Sequence, residues 1–174
     1  NSWDATATDA CGVASIAYTL SNATSGTGVT LNGVAFNVGT TLVTWRATDV
    51  NGNWSECSFD VTVNPNHTIT LTSAASTENQ EVCINEAIDD ITYEIGGGAT
   101  GVTLGGTLPA GITGNLVGNT YTISGTPTET GPFNYSLTTT GNTCVTAAES
   151  GTILVNPNHT ITLSSAASTK NQEV

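Results

Sequence analysis

Four cysteines, two histidines and one acidic run are the residues through which this chain could do chemistry. Cys11, Cys57, Cys83 and Cys144 include no C-x-x-C pair, whereas zinc sites usually present closely spaced ligand pairs. In a β-rich chain this spacing reads as disulfide bracing in an oxidising compartment. Cys83 and Cys144 stand early and late in one stretch of strands and are expected to pair, closing a long loop for roughly 4 kcal/mol in the chain-entropy model. Glu86, Asp89, Asp90 and Glu94 form an acidic cluster with the oxygen donors that calcium requires, though without a D-x-D-x-D-G loop. Glu94 alternates with apolar residues in ITYEI and is expected to face water, and Asp4, Asp9 and Asp49 form a weaker set, so a solvated acidic face is the default reading. His67 and His159 lack any nucleophile motif such as G-x-S-x-G nearby, which leaves them as junction residues packed between modules and gives no enzymatic expectation. Trp3 and Trp54 could each stack on a sugar ring, and Trp54, just past a hairpin tip, is the better ligand candidate.

The composition narrows the partners. Of 174 residues only 9% are charged, well below the roughly 25% of an ordinary soluble domain, and the formal net charge is −12. Arg46 and Lys170 are the only strongly basic residues, too few to displace counterions from a polyphosphate, so neither nucleic acid nor an anionic membrane surface is an expected partner. No apolar run reaches the roughly 20 residues of a membrane-spanning helix. Val, Ile, Thr, Tyr and Trp recur in alternating runs, which points to β-structure rather than an acidic disordered tail.

The organising feature is a phrase written twice. NPNHTITLTSAASTENQEV spans 64–82 and NPNHTITLSSAASTKNQEV spans 156–174, an offset of 92 residues, with Thr72 against Ser164 and Glu78 against Lys170 as the only differences. That period suits one sandwich domain of about 100 residues. Each copy follows a strand-like run, CSFDVTV or GTILV, and opens with Asn-Pro, which cannot continue a ladder. Each phrase is therefore read as a module entrance. The modules are 1–63, whose first strand is not obvious, 64–155, and the opening of a third at 156–174. Both ends read as cuts in a longer chain, with a cysteine expected next after Val174. Residues 64–155 contain no lysine, which excludes a Lys–Asn isopeptide crosslink within that module.

Strand patterns fill the modules. Val43, Trp45 and Ala47 alternate with polar neighbours, as do Cys57, Phe59, Val61 and Val63 beyond Asn51-Gly52, which predicts a hairpin with a loop of Val50, Asn51 and Gly52 and Arg46 beside Glu56. In the second module strands are expected near Ile69 and Leu71, 91–95, Val102 and Leu104, 121–124, 133–137 and 153–155, separated by Gly- and Pro-rich turns. The expected fold class is all-β, with tandem immunoglobulin-like antiparallel β-sandwich domains.

DACG at 9–12, FNVGTTLVTWRATDVNGN and CSFDVTV together resemble the hyalin-repeat (HYR) domain, an immunoglobulin-like module of extracellular adhesive proteins. The further cysteines usual in the early strands of that family are missing here. The resemblance thus leaves Cys11 and Cys57 to pair with each other or with partners outside these residues. NQEVCINEAIDDITYEI, LPAGI and YTISGTPTETGPFNYSL resemble the putative-Ig and PKD-like repeats of very large bacterial surface proteins. The tandem is similar to the giant surface adhesins of Bacteroidota, including the gliding-motility adhesin exported by the type IX system. It implies an extracellular stalk at a bacterial cell surface, serving adhesion or gliding, with neighbouring modules as its main partners. Surface glycans or proteins would bind through distal regions, and neighbouring chains could associate laterally, because few lysines guard the strand edges. The alternative is a direct glycan- or protein-binding module, or the subunit of an extracellular filament. No cofactor is implied beyond the calcium candidate.

Overall fold

The computed structural model describes residues 3–162, and the chain is all-β with a single short 3-10 turn among those residues. It divides into two compact units, with the boundary between Asn66 and His67.

In the first unit β1 (Val13–Asn22), β2 (Gly26–Gly28), β3 (Gly39–Asp49) and β4 (Trp54–Val63) form one antiparallel sheet in the order β2-β1-β3-β4. Tyr18 and Leu20 lie opposite Trp45 and Val43 across the ladder, so the period of two puts four large side chains on one buried face. No second sheet faces them among the described residues. Leu31, Val34, Phe36 and Ala5 cover that face from irregular segments. Asp4 ties the two covering segments together, accepting hydrogen bonds from Leu31 N and Thr30 Oγ1, each at 2.8 Å. Trp45 Nε1 donates to the Trp3 carbonyl at 3.2 Å, and the Trp3 ring meets Phe36 and Phe59 edge-on. Thr41, a polar residue on the buried face, is satisfied by Thr24 through both its backbone N–H and its hydroxyl.

The β3–β4 hairpin forms in the expected register. Arg46 lies opposite Glu56, Thr48 lies opposite Trp54, and Asp49 N donates to Asn53 O, which leaves Val50, Asn51 and Gly52 as the loop. Gly52 has φ +90°, the positive value that such a loop requires of one residue.

The second unit is a two-sheet sandwich. Its elements are β5 (Thr68–Leu71), a 3-10 turn (Ala75–Thr77), β6 (Asn79–Cys83), β7 (Ile91–Gly96), β8 (Ala99–Gly106), β9 (Ile112–Val117), β10 (Thr120–Gly125), β11 (Gly131–Gly141) and β12 (Ala148–Asn156). One sheet runs β5-β7-β10-β9 and the other β6-β12-β11-β8. All pairings are antiparallel except β6 with β12. Alternate residues point inward from both sheets: Ile91, Tyr93, Ile95 and Ile123 from one, Tyr135, Leu137, Ile153 and Val155 from the other, all nearly or fully buried.

The registers correct the cysteine expectation. Cys83 lies opposite Asn156 at one end of β12, while Cys144 sits in the loop that precedes Ala148 at the other end. The intervening eight strand steps span about 26 Å at ~3.3 Å each. A disulfide needs Cα atoms within about 7 Å, so Cys83 and Cys144 do not pair within the module. Cys57 lies opposite Trp45, whereas Cys11 precedes Val13, which lies opposite Asp49. Four strand steps, about 13 Å, keep Cys11 and Cys57 apart as well.

Candidate functional site

The feature that gathers the most specific interactions is residues 67–82 of the first copy of the repeated phrase, which enter both sheets of the second unit. His67 is the first residue of that unit. The ring is buried, and the backbone N–H donates to Val145 O at 2.9 Å. Nδ1 is 3.1 Å from Thr139 Oγ1, and Nε2 is 3.0 Å from Asn142 Oδ1. The backbone N–H of Cys144 also donates to Asn142 Oδ1, which marks that oxygen as an acceptor and places a hydrogen on His67 Nε2. All these partners belong to the second unit. His67 is therefore an internal clasp of its own module, which corrects its reading as a residue packed between modules.

β5 then pairs with β7, with Ile69 opposite Ile95 and only 7% exposed. Thr72 Oγ1 and its backbone N–H both donate to Thr92 O, which ends the strand. The phrase crosses to the other sheet through Ser73, whose hydroxyl accepts from Thr92 N and bonds Thr77 Oγ1 at 2.7 Å. At the crossing, Tyr93 Oη donates to Glu78 Oε1 at 3.2 Å and lies 3.1 Å from Tyr135 Oη, which in turn donates to Glu78 O. Burial, reinforced for Tyr93 by the Tyr135 hydroxyl and the nearby Glu78 charge, pushes both phenol groups above their ordinary range. β6 completes the phrase by running parallel to β12. Gln80 closes the following turn, its amide oxygen accepting from Asp89 N at 2.9 Å and its amide nitrogen donating to Asp89 O at 2.7 Å.

The other candidate residues do not converge. Asp89 is held through its backbone, Glu86 and Asp90 are exposed, and among the described residues no three His, Cys, Asp or Glu side chains come together as a metal set. This corrects the calcium expectation at Glu86, Asp89 and Asp90. Glu94 is exposed on β7 between buried Tyr93 and Ile95. Asp49 accepts from Asn53 Nδ2 and from the Asn51 and Asn53 backbone N–H groups, so it caps the hairpin loop, and these bonds hold its carboxyl below the usual range. Trp54 is 58% exposed, but the Arg46 guanidinium stacks on its ring at 4.1 Å while bonding Glu56 at 2.9 Å, so one face is already covered. Trp3, Phe59 and Val61 line a shallow apolar groove beside edge strand β4. His159 is exposed, and no helix among the described residues is long and apolar enough to cross a membrane.

Sequence reasoning missed the clasp around His67 and the tyrosine pair. The signal for both was the phrase itself, because a sequence repeated nearly residue for residue includes the side chains that make its contacts.

The fold defines a class: an all-β protein of two units, one antiparallel sheet in the first and a two-sheet β-sandwich in the second among the described residues. Within it, residues 3–63 match the HYR domain family. Among solved structures the chain is similar to an I-band fragment of titin, at 14% identity over 83% of this chain and 56% of that one, with a TM-score of 0.48. It is also similar to titin domains z1z2 in complex with telethonin, at 11% identity over 84% and 83% of the two chains with a TM-score of 0.45. A third likeness is to fibronectin(III)-like modules of Clostridium thermocellum CbhA, at 17% identity over 91% and 87% with a TM-score of 0.36. No curated protein matches the chain.

Proposed function

We propose that this chain is a spacer segment of a large repetitive adhesin at a bacterial cell surface, holding a distal binding region away from the cell or carrying the traction of gliding. The observation that carries this reading is that the first copy of the repeated phrase is built into the framework of its module. In its first copy the phrase supplies two strands, a buried histidine clasp and the crossing between sheets. Copying such a phrase along a chain copies a module, and each added module extends reach by a fixed step with no new chemistry. The low charge, with Thr- and Ser-rich outer faces, suits long hydrated arrays.

The test is to purify the parent polypeptide from its source, measure its intact mass, and label intact cells with antibody raised against these residues. A very large chain with a repeat near 92 residues, displayed outside the cell, is expected. A small mature chain, or a protein confined to the cytoplasm, would overturn the reading.

A further inference from the structure

The sandwich of the second unit has edge strands β5 and β6 on one side and β8 and β9 on the other, and charge is spread unevenly between them. Glu94 stands beside β5 and Glu81 belongs to β6, whereas between Glu94 and Glu129 no residue is charged. β8 and β9 both fall within that neutral stretch. On a chain of net charge −12, most approaches of one copy to another bring carboxylates together, and this side of the sandwich does not. Edge strands are normally guarded by charge, proline or a covering segment. β8, ATGVTLGG, has neither charge nor proline, and no strand pairs with its free side among the described residues.

The direction of its free backbone groups follows from β11. Thr139 N donates to Ala147 O on the β12 side, so the odd-numbered residues of β11 bond toward β12 and the even-numbered ones toward β8. Val102 and Leu104 lie opposite Thr139 and Leu137, so their own N–H and C=O groups point away from the sheet. Their side chains share the inward face with Leu137. Yet Leu104 is 38% exposed where Leu137 is fully buried, because no further strand continues the sheet beside it. β9 is less available: it is shorter, and Ile112 N already donates to Pro109 O.

We propose that β8 is a self-recognition edge, at which two copies of this chain pair their β8 strands antiparallel about a two-fold axis centred on Thr103 and so join their β6-β12-β11-β8 sheets into one. In that register Leu104 falls opposite the second copy's Val102, and Val102 opposite its Leu104. Free backbone groups meet free backbone groups, and apolar side chains meet apolar side chains. Thr103 faces Thr103 in a close, non-hydrogen-bonded pair on the outer face, and Gly101 faces Gly105, so no bulky side chain obstructs the approach. The interface is isologous and consumes β8 of both copies, so it closes at a dimer. The pairing does not depend on the spacer reading.

The test is sedimentation equilibrium of the full 174-residue chain from about 10 μM to about 1 mM, in 0.15 M salt, roughly physiological strength. Monomer at the dilute end and dimer, with nothing larger, at the concentrated end are expected. Thr103→Lys sets two ammonium groups face to face at the axis and should weaken the dimer about fivefold. The added lysine lowers the overall repulsion between two acidic copies, so this loss reports the edge itself. Mixing Thr103→Lys with Thr103→Glu should give a mixed dimer tighter than either variant forms alone. Thr103 is exposed, so both variants are expected to keep the far-ultraviolet circular dichroism of the unsubstituted chain. Asn115→Lys, on the exposed edge of β9, should leave the dimer unchanged. Monomer at every concentration would overturn the proposal, as would species larger than a dimer, a dimer indifferent to Thr103→Lys, or one lost with Asn115→Lys.

Discussion

The two units bury their cores by different means. The second closes one sheet over another, so each inward side chain meets a partner fixed by its own ladder. The first has one sheet, and the opposing wall is made by segments 3–8 and 29–38, held by Asp4, the Trp3 carbonyl and Thr24 rather than by strand pairing. A sheet fixes many backbone groups cooperatively, whereas a covering loop depends on a few side-chain anchors. The same class of fold thus places its weak points in different chemistry. All three tryptophans, Trp3, Trp45 and Trp54, belong to the first unit, so tryptophan fluorescence follows that unit alone.

The largest separation of the two should come from Leu137→Ala, which truncates a fully buried side chain between the sheets of the second unit. A loss of about 2–5 kcal/mol is expected in the unfolding of that unit, read by far-ultraviolet circular dichroism. The tryptophan-detected transition should not move. A matching shift in both signals would show that the units unfold as one.

Gly151→Ala tests the crossing point. A Cβ at Gly151 would overlap Glu78 O and Tyr135 Oη, so the methyl group must push apart the phrase, β12 and the tyrosine pair. A destabilisation of about 1–3 kcal/mol confined to the second unit is expected in denaturant melts. No change would mean that the Tyr135–Glu78 contact is not needed.

The pH dependence should split the units. Asp4 is held below its ordinary range by the Leu31 backbone N–H and then by the Thr30 hydroxyl, and Asp49 by Asn53. A carboxyl with a depressed folded pKa contributes stability that is present above its unfolded value, about 3.9, and lost as pH falls below that through the folded value. Tyr93 and Tyr135 have raised folded values, so their contribution is intact below about pH 10 and is lost as pH rises through the folded values. Acid titration should therefore weaken the first unit by this route, and alkaline titration the second. Asp4→Asn should flatten part of the acid dependence of the tryptophan signal. An unchanged acid profile in that variant would remove Asp4 as the anchor.

The smallest effect is expected at the surface of the first unit. Glu56→Gln removes the partner of Arg46 from a half-exposed pair, and a change below about 0.5 kcal/mol is expected in the same melts. A larger loss would mean that the Arg46–Trp54 stack depends on Glu56 for its geometry.

Local pattern made much of the fold legible. The β3–β4 hairpin was readable because alternation, the Asn-Gly turn and opposed charges agree over one short stretch. β7, β10, β11 and β12 carry alternating large residues and are also readable, whereas the edge strand β6 is mostly polar and the edge strand β9, ITGNLV, does not alternate. β1 also alternates Ile16, Tyr18 and Leu20 and is framed by Gly12 and Asn22, both of positive φ, so the first strand that the opening residues did not make obvious carried its own local signal. The site was less legible than the fold, because its members stand far apart in the chain.

The sequence by itself determined the all-β class, the period of about 92 residues and the entrance phrase, since composition, alternation and repetition are properties of neighbouring residues. Tertiary structure alone decided that β6 runs parallel to β12, and that Cys83 and Cys144 stand at opposite ends of one strand. It alone also placed Thr139 and Asn142 around His67. Those relations join residues as many as 75 positions apart. Only strand order and register bring such residues together, and the alternation within a single strand carries no record of which strand will lie beside it.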